Sequence, residues 1–173
     1  MSYLTSIMTR MSNHEVTERA AQPYAGTVTR VPMSKVYTVG DRLPEVYAFL
    51  AARGVEPAGP PFWRYLVIDM ERELEIEAGV PVAGPVDGDG DIRAGVLPAG
   101  RYVTVTHVGH PDELMEATRE LLEWADAQRL TFDRADSPDG DAWVSRLEIY
   151  KSDPAQEPDM TKWETELAFK LAD

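Results

Sequence analysis

A carboxylate and a phenol lie two residues apart near the end of the chain, in the segment Trp-Val-Ser-Arg-Leu-Glu-Ile-Tyr that runs from Trp143 to Tyr150. This segment predicts a β-strand, in which successive side chains point to opposite faces. Glu148 and Tyr150 would therefore share one face, about 7 Å apart along the strand. An acid beside aromatic rings on a rigid element is suited to binding lipophilic cations or polarisable molecules.

The same alternation divides the segment into two faces. The first, suited to a protein core, would carry Trp143, Ser145, Leu147 and Ile149. The second, suited to a ligand, would carry Val144, Arg146, Glu148 and Tyr150. Without further information, a surface Glu148 paired with Arg146 is as good an interpretation as a ligand-binding Glu148.

Four further aromatic residues are candidates for the walls of such a site, in the order Tyr65, Trp63, Trp143 and Trp163. Core packing is the more usual role of any single aromatic side chain, and Phe62 and Phe169 are assigned to it. If the protein is an enzyme, Glu148 and Tyr150 are its candidate catalytic residues, because burial can raise the pKa of a carboxyl group until it serves as a general acid or base.

Composition excludes several classes of function. The formal net charge of −13 and pI near 4.6 disfavour direct binding to nucleic acid or to an anionic membrane. There are no cysteines, hence no thiolate metal site and no cysteine nucleophile. No apolar run approaches the roughly 20 residues of a membrane span, and residues 1–14 lack the apolar core of a secretory signal, so we expect a cytoplasmic protein.

Other chemistry-bearing residues carry weaker signals. Asp87, Asp89 and Asp91 alternate as in a calcium loop, but Pro98 stands where such a loop needs its glutamate. With 3 histidines in the chain we expect no metal site, and no motif implies a cofactor. Glu75 and Glu77 share one strand face, where they would either acidify the rim of a groove or be solvated.

The first half of the chain is predicted to span residues 15–82, after a loose tail at 1–14 in which Met8 and Met11 are alternative starts. Residues 15–31 predict an irregular strand or strand pair. A helix follows, with Asp41 as its cap, Pro44 in its first turn, an apolar stripe at Leu43, Val46, Tyr47 and Leu50, and Gly54 at its end. Residues 62–69 and 74–82 predict two strands.

The second half, residues 92–171, repeats this order after a turn-rich linker at 83–91. Strands are predicted at 92–97 and 101–108, a helix from His110 to Arg129, a polar loop at 133–141, and strands at 143–150 and 163–171. The order strand, helix, strand, strand thus occurs twice in one domain of residues 15–173. We expect an α+β fold with antiparallel sheets, helices on one sheet face and a ligand groove on the other.

Several segments, in this order, resemble the GyrI-like small-molecule-binding domains, which include the effector-binding domains of BmrR-type and some AraC-type regulators. They are Gly59-Pro60-Pro61 with Tyr65, Glu75 to Val82, Leu97 to Tyr102 with His107-Val108-Gly109, Leu147 to Tyr150 with Asp153-Pro154, and Thr165-Glu166-Leu167. The resemblance covers roughly residues 15–171. His110-Pro111 departs from the small or aromatic pair that usually follows Gly109 in the family.

The resemblance implies a duplicated SHS2-like module, that is, two tandem β-α-β-β units with a ligand groove between them. It implies ligands that are varied, often aromatic and cationic, held by a glutamate among aromatic rings. By position that glutamate is Glu148, with Tyr150 beside it and Tyr65 as the counterpart in the first half. We expect no DNA-binding domain before the predicted domain, in which case a sensing role in regulation would need a separate protein partner.

Three hypotheses about function follow. The first is a stand-alone multidrug-binding protein that senses or sequesters lipophilic, often cationic aromatic ligands. The second, suggested by some stand-alone relatives, is a hydrolase that opens the cyclopropane ring of genotoxic natural products. The third is a gyrase-interacting inhibitor, for which the sequence locates no interface.

Overall fold

The computed structural model describes residues 13–173. These residues form one ten-stranded sheet, in which all the strand pairs are antiparallel, and two α-helices. The strands are β1 (Glu15–Arg19), β2 (Gln22–Val31), β3 (Phe62–Ile68), β4 (Leu74–Pro81), β5 (Arg93–Leu97), β6 (Gly100–Val108), β7 (Arg134–Ser137), β8 (Gly140–Trp143), β9 (Arg146–Tyr150) and β10 (Glu164–Lys170). The helices are α1 (Leu43–Ala52) and α2 (Leu114–Ala127).

The strand order is β1-β6-β10-β9-β3-β4-β2-β5, with β8 pairing β3 and β7. On either side of the central β3–β9 pair the order is equivalent: β3-β4-β2 in the first half and β9-β10-β6 in the second. Each of these triplets contains the helix of its own half between its first and second strands in sequence. The predicted α+β class with an antiparallel sheet and two helices is confirmed.

Local sequence signals account for most helix ends. Pro44 lies in the first turn of α1, and Gly54, just beyond its end, has a positive φ of 65°. Asp41 does not cap α1 as predicted, because residues Met33–Arg42 already form 3-10 turns that run directly into the helix. Ahead of α2, the short 3-10 turn Pro111–Glu113 is closed by a capping box between His110 and Glu113.

Both helices cover the same face of the sheet, which we call the helix face. A row of directly paired residues crosses it: Ala78, Trp63, Glu148, Leu167 and Val105. Helix α1 packs Val46, Phe49 and Leu50 against Val80 and Val82 of the first half. Helix α2 packs Leu114, Leu121 and Ala125 on Val103, Leu167, Phe169 and other residues of the second half.

The opposite face, the inner face, is closed by curling of the sheet. Strands β5 and β6, which lie far apart in the strand order, contribute Leu97 and Tyr102 to one buried cluster with Phe62, Leu147 and other inner-face residues. Aromatic rings lie flat on the backbone here: a Cβ on Gly79 would come within 2.5 Å of the Phe62 ring. Many side chains of that face therefore pack against one another, and the ligand groove predicted on the face without helices stays a prediction.

The predicted continuous strand from Trp143 to Tyr150 is also interrupted. Strand β8 ends at Trp143, and β9 begins at Arg146 after an irregular link at Val144 and Ser145. The link reverses the alternation, so Trp143 packs under α2 on the helix face while Leu147 belongs to the inner-face cluster. Within β9 the predicted alternation holds, with Glu148 and Tyr150 on the helix face.

Two other segments differ from expectation. The polar loop predicted at 133–141 contains the hairpin of β7 and β8. Residues 15–31 form two strands that do not pair with each other, since β1 pairs with β6 and β2 with β4 and β5. Of the predicted tail at 1–14, residues 1–12 lie outside the described part of the chain, while His14 stacks on Trp124 with ring centroids 5.6 Å apart.

Candidate functional site

Glu148 lies at the centre of the sheet, where the two halves meet. It belongs to β9 and is paired directly with Trp63 of β3, the strand that joins the first half to the second. Its side chain is 8% exposed. A carboxylate at this depth is costly unless it is hydrogen-bonded or balanced by a cation, which makes the position unusual for a purely structural residue.

Tyrosine hydroxyls surround the Glu148 carboxyl group. The hydroxyl of Tyr150 donates a hydrogen bond to Glu148 Oε1 at 2.6 Å. Burial raises the pKa of Glu148 above its ordinary value; hydrogen bonding by Tyr150 and Tyr65 and the positive charge of Arg146 offset part of that rise. Burial, followed by the charge of Glu148, also raises the pKa values of Tyr65 and Tyr150. Both phenols therefore stay protonated and act as hydrogen-bond donors.

A cavity of about 700 Å³, which we call the α1 cavity, opens on the helix face beside Glu148. Tyr150 and Trp63 form its inner wall and pack edge to face, with ring centroids 5.6 Å apart. Residues from α1, from the Pro57–Pro61 turn and from the segments on both sides of the β9–β10 connection complete it: Gly40, Leu43, Tyr47, Pro57, Gly59, Pro60, Pro61, Lys151, Ser152, Asp153, Pro154, Trp163, Glu164 and Thr165.

The rim of the α1 cavity carries more acid than base. Asp153 and Glu164 are exposed carboxylates in its lining, against one exposed amine, Lys151. The phenol of Tyr47 lies near this rim, since burial, followed by the charge of Asp153, raises its pKa. The walls are mainly aromatic and proline side chains. The combination of apolar walls and a negative rim favours lipophilic ligands that carry positive charge.

The structure brings together most of the residues predicted for the site. Trp63, Tyr150 and Trp163 line the α1 cavity. Glu148 and Tyr65 lie next to its inner wall without lining it. Trp143, which was predicted to line the site, lies elsewhere: it is 6% exposed, packs at an angle against Phe132 and edge to face against Phe169, and belongs to the core under α2.

Sequence reasoning missed the contribution of α1. Tyr47 was assigned to the apolar stripe of that helix, yet it is 38% exposed and faces the cavity, whereas Val46 and Leu50 of the same stripe are buried. The polar end of its side chain was an available signal, because a tyrosine on an otherwise aliphatic stripe is suited to a boundary with water. The sequence identifies the turn Gly59-Pro60-Pro61 only through the family resemblance, and the rigid apolar rings of its prolines form part of the wall.

Two acidic residues of β4 play no part in this site. Glu77 is 0% exposed on the inner face, where it accepts hydrogen bonds from Tyr24 at 2.5 Å and from Arg93 at 2.7 Å. Glu75 forms an ion pair with Arg30 at 3.5 Å. The suggestion that they acidify the rim of the ligand groove is therefore wrong.

Across residues 13–173 no three histidine or carboxylate side chains converge as a metal site would require. In the same range, neither helix has the length and the apolar character needed to cross a membrane.

The fold of this chain is similar to the folds of several solved structures. The C-terminal domain of EcmrR superposes with a TM-score of 0.72 at 20% identity, over 92% of this chain and 97% of that domain. The chain spans 63% of the length of EcmrR as found in its complex with DNA. SAV2435 bound to tetraphenylphosphonium gives a TM-score of 0.60 at 10% identity, over 92% of this chain and 93% of SAV2435. A hydrolase from Listeria innocua gives 0.63 at 13% identity, over 98% of each chain.

No curated protein matches the sequence. Identities this low establish a shared fold and nothing further about ligand or activity. The family model for the GyrI-like small molecule binding domain, however, matches residues 12–172, nearly the whole chain. Together with the sheet and the two helices, this match shows that the chain belongs to the GyrI-like family of small-molecule-binding domains.

Proposed function

We propose that this protein binds lipophilic aromatic cations in the α1 cavity and senses or sequesters them. The observation that carries the proposal is the buried Glu148 carboxyl next to a cavity wall made of Trp63 and Tyr150. A cavity of about 700 Å³ lies within the range typical of small-molecule sites.

The energetics favour a ligand that combines rings with positive charge. Each aromatic wall residue contributes cation–π attraction of about 0.5–2 kcal/mol in addition to apolar burial. A buried carboxyl with a raised pKa gains most when a cation arrives, because the ionised form is then no longer uncompensated. The exposed Asp153 and Glu164 add longer-range attraction at the rim.

The equivalent strand orders on the two sides of the β3–β9 pair support the interpretation of the fold as a duplicated SHS2-like module. In this proposal Glu148 and Tyr150 come from the second unit, and Trp63 and Tyr65 come from the first. Small-molecule binding would then depend on both units at once. A protein partner such as gyrase or a transcription regulator stays a prediction without a located surface.

Isothermal titration with tetraphenylphosphonium at neutral pH tests the proposal. We expect one saturable site in the wild-type protein and at least tenfold weaker binding in Glu148→Gln, which keeps the shape of the side chain and removes its charge. Triphenylphosphine oxide, with three of the same rings and no net charge, should bind more weakly than the cation.

The matched control is Glu120→Gln, which removes an exposed carboxylate from α2, outside the α1 cavity. It should bind as the wild type does. Equal affinities of the wild type and Glu148→Gln for the cation would contradict the assigned role of Glu148. No saturable binding to the wild type would contradict the proposed function as a whole.

A second candidate function is hydrolysis of a strained cyclopropane ring. The raised pKa of Glu148 and the hydrogen bond from Tyr150 favour it, since a raised pKa brings a carboxyl group closer to the range in which it can serve as a general acid. The ring bond would break, one carbon taking the hydroxyl group of water and the other a proton. Mass spectrometry after incubation with a cyclopropane-containing alkylator would show a gain of one water; binding with unchanged mass leaves the binding function alone.

A further inference from the structure

The mouth of the α1 cavity carries a carboxylate of its own, apart from the one behind the inner wall. Asp153, in the connection between β9 and β10, is an exposed residue of the cavity lining. Burial, followed by the charge of Asp153, raises the pKa of Tyr47 on α1, so the Asp153 carboxylate lies near that phenol. Because Tyr47 belongs to the first half of the chain and Asp153 to the second, both halves form the mouth.

The Asp153 side chain is held in place, but its charge is not neutralised. Its Oδ1 accepts a hydrogen bond from the backbone N–H of Ala155 at 2.9 Å, which orients the carboxylate in a turn. Within residues 13–173 Asp153 forms no ion pair. The amine of Lys151, which also lines the cavity, lies 4.0 Å from Glu166, a residue outside the lining. An oriented carboxylate without a counter-ion leaves its charge available to a ligand.

Glu148 and Asp153 lie at different depths of the same site. Glu148 is 8% exposed behind the inner wall, whereas Asp153 is exposed at the mouth. Tyr150, which lies between them in the chain, lines the cavity. A step of five residues spans at most about 18 Å between Cα atoms, so one elongated ligand can place a positive charge near each acid.

We propose that Asp153 provides a second cation subsite, so that the α1 cavity prefers elongated aromatic ligands with two positive charges over monocations with the same ring skeleton. This inference rests on the proposed function. One cationic ring packs against Trp63 and Tyr150 near Glu148. The other lies at the mouth, between Tyr47 and Asp153. Because Asp153 is exposed, its contribution is smaller than that of a buried charge and decreases as salt is added.

A dication and a monocation with matched rings test the proposal. In the dication, two quinolinium rings are joined by a chain of six methylene groups; in the monocation, naphthalene replaces one quinolinium. We expect calorimetric titration to show tighter binding of the dication by the wild-type protein. Asp153→Asn should reduce the ratio of the two affinities by about 2–5-fold, the size of one exposed charge contact. Asparagine can still accept the N–H of Ala155, so the turn is kept.

Asp159→Asn is the matched control on the same connection. Asp159 accepts the backbone N–H of Thr161, two residues further on, just as Asp153 accepts that of Ala155, but Asp159 does not line the cavity. Its affinity ratio should equal that of the wild type. Thermal unfolding establishes that each variant is folded, and Asp153→Ser is a second neutral variant should the Asn variant fail to fold.

Glu148→Gln separates this inference from the proposed function, because it should weaken both ligands and leave their ratio unchanged. An unchanged ratio in a folded Asp153 variant, an equal loss in Asp159→Asn, or a wild-type preference for the monocation overturns the second subsite while leaving the binding function intact. Failure of the wild type to bind either ligand or tetraphenylphosphonium overturns the binding function and this inference together.

Discussion

Two charged side chains of β9, Glu148 and Arg146, lie among aromatic rings on the helix face. Each is desolvated, each has aromatic neighbours, and they are too far apart to neutralise each other through an ion pair. Structural ion pairs in this protein look different: Lys170 and Asp133 are in contact at 2.9 Å. Separated buried charges are destabilising in the free protein, so their presence favours a function that uses them.

The raised pKa of Glu148 has a consequence for stability. A carboxyl whose folded-state pKa exceeds its unfolded value favours folding most in acid, where it is protonated in both states, and disfavours folding progressively as the pH rises through the folded-state pKa. Glu148→Gln should therefore raise the unfolding temperature at pH 7–8. The rise should be about 2–4 °C for each kcal/mol by which the substitution increases the free energy of unfolding.

Thermal unfolding by circular dichroism from pH 4 to pH 8 would measure this difference. The gap between the variant and the wild type should narrow toward acid, where Glu148 is itself neutral. A Glu148→Gln variant that is less stable at pH 8 than the wild type would show that the carboxylate is already compensated in the free protein.

At the scale of elements, the site depends on how α1 and the short segments around it lie over the sheet. The alternation within β9 was enough to place Glu148 and Tyr150 together, because a strand has a fixed period of two. It did not place Trp143, because an irregular link at Val144 and Ser145 reverses the faces. Periodicity also predicted α1, but it did not predict that Tyr47 lines a cavity, since Tyr47 fits the apolar stripe equally well.

The contribution of α1 can be separated from folding. Tyr47→Ala should weaken tetraphenylphosphonium binding by about 3–10-fold through loss of one aromatic wall, within the range of a single cation–π contact. Its unfolding temperature should change little, because the side chain is 38% exposed. Tyr37→Ala is the matched control, since Tyr37 is 70% exposed, precedes the same helix and does not line the cavity. Equal affinities of the two variants would place the ligand away from α1.

At the scale of the whole molecule, curling of the sheet buries many side chains of the inner face. The inner face contains a network of polar side chains. Glu77 accepts hydrogen bonds from Tyr24 and Arg93, and Arg64 donates a hydrogen bond to the Tyr24 hydroxyl at 2.8 Å. Burial, followed by the charge of Glu77, raises the pKa of Tyr24 to about 12, so its phenol remains a donor. This network joins β2, β3, β4 and β5, and β3 is the strand that carries Trp63 and Tyr65 on its other face.

Glu77→Ala should destabilise the protein by about 3–5 kcal/mol, because two arginines and a tyrosine would lose a buried partner. Glu75→Ala, two residues earlier on the same strand, removes only a partly exposed ion pair and should cost less than about 1 kcal/mol. Urea unfolding measures both. Similar costs for the two substitutions would show that the network does not hold the curled sheet.

The sequence by itself determined most of the elements and the strand face that Glu148 shares with Tyr150. Turn residues, strand alternation and helix stripes are local properties, so nearly all strands, both helices and the pairing of Glu148 with Tyr150 on one face could be inferred from them. The tertiary structure alone decided that both helices share a face with the candidate site, that many side chains of the other face are buried, and that Arg146 lies among aromatic rings. Those features depend on strand order and on the curl of the sheet, which are set by contacts between residues far apart in the chain.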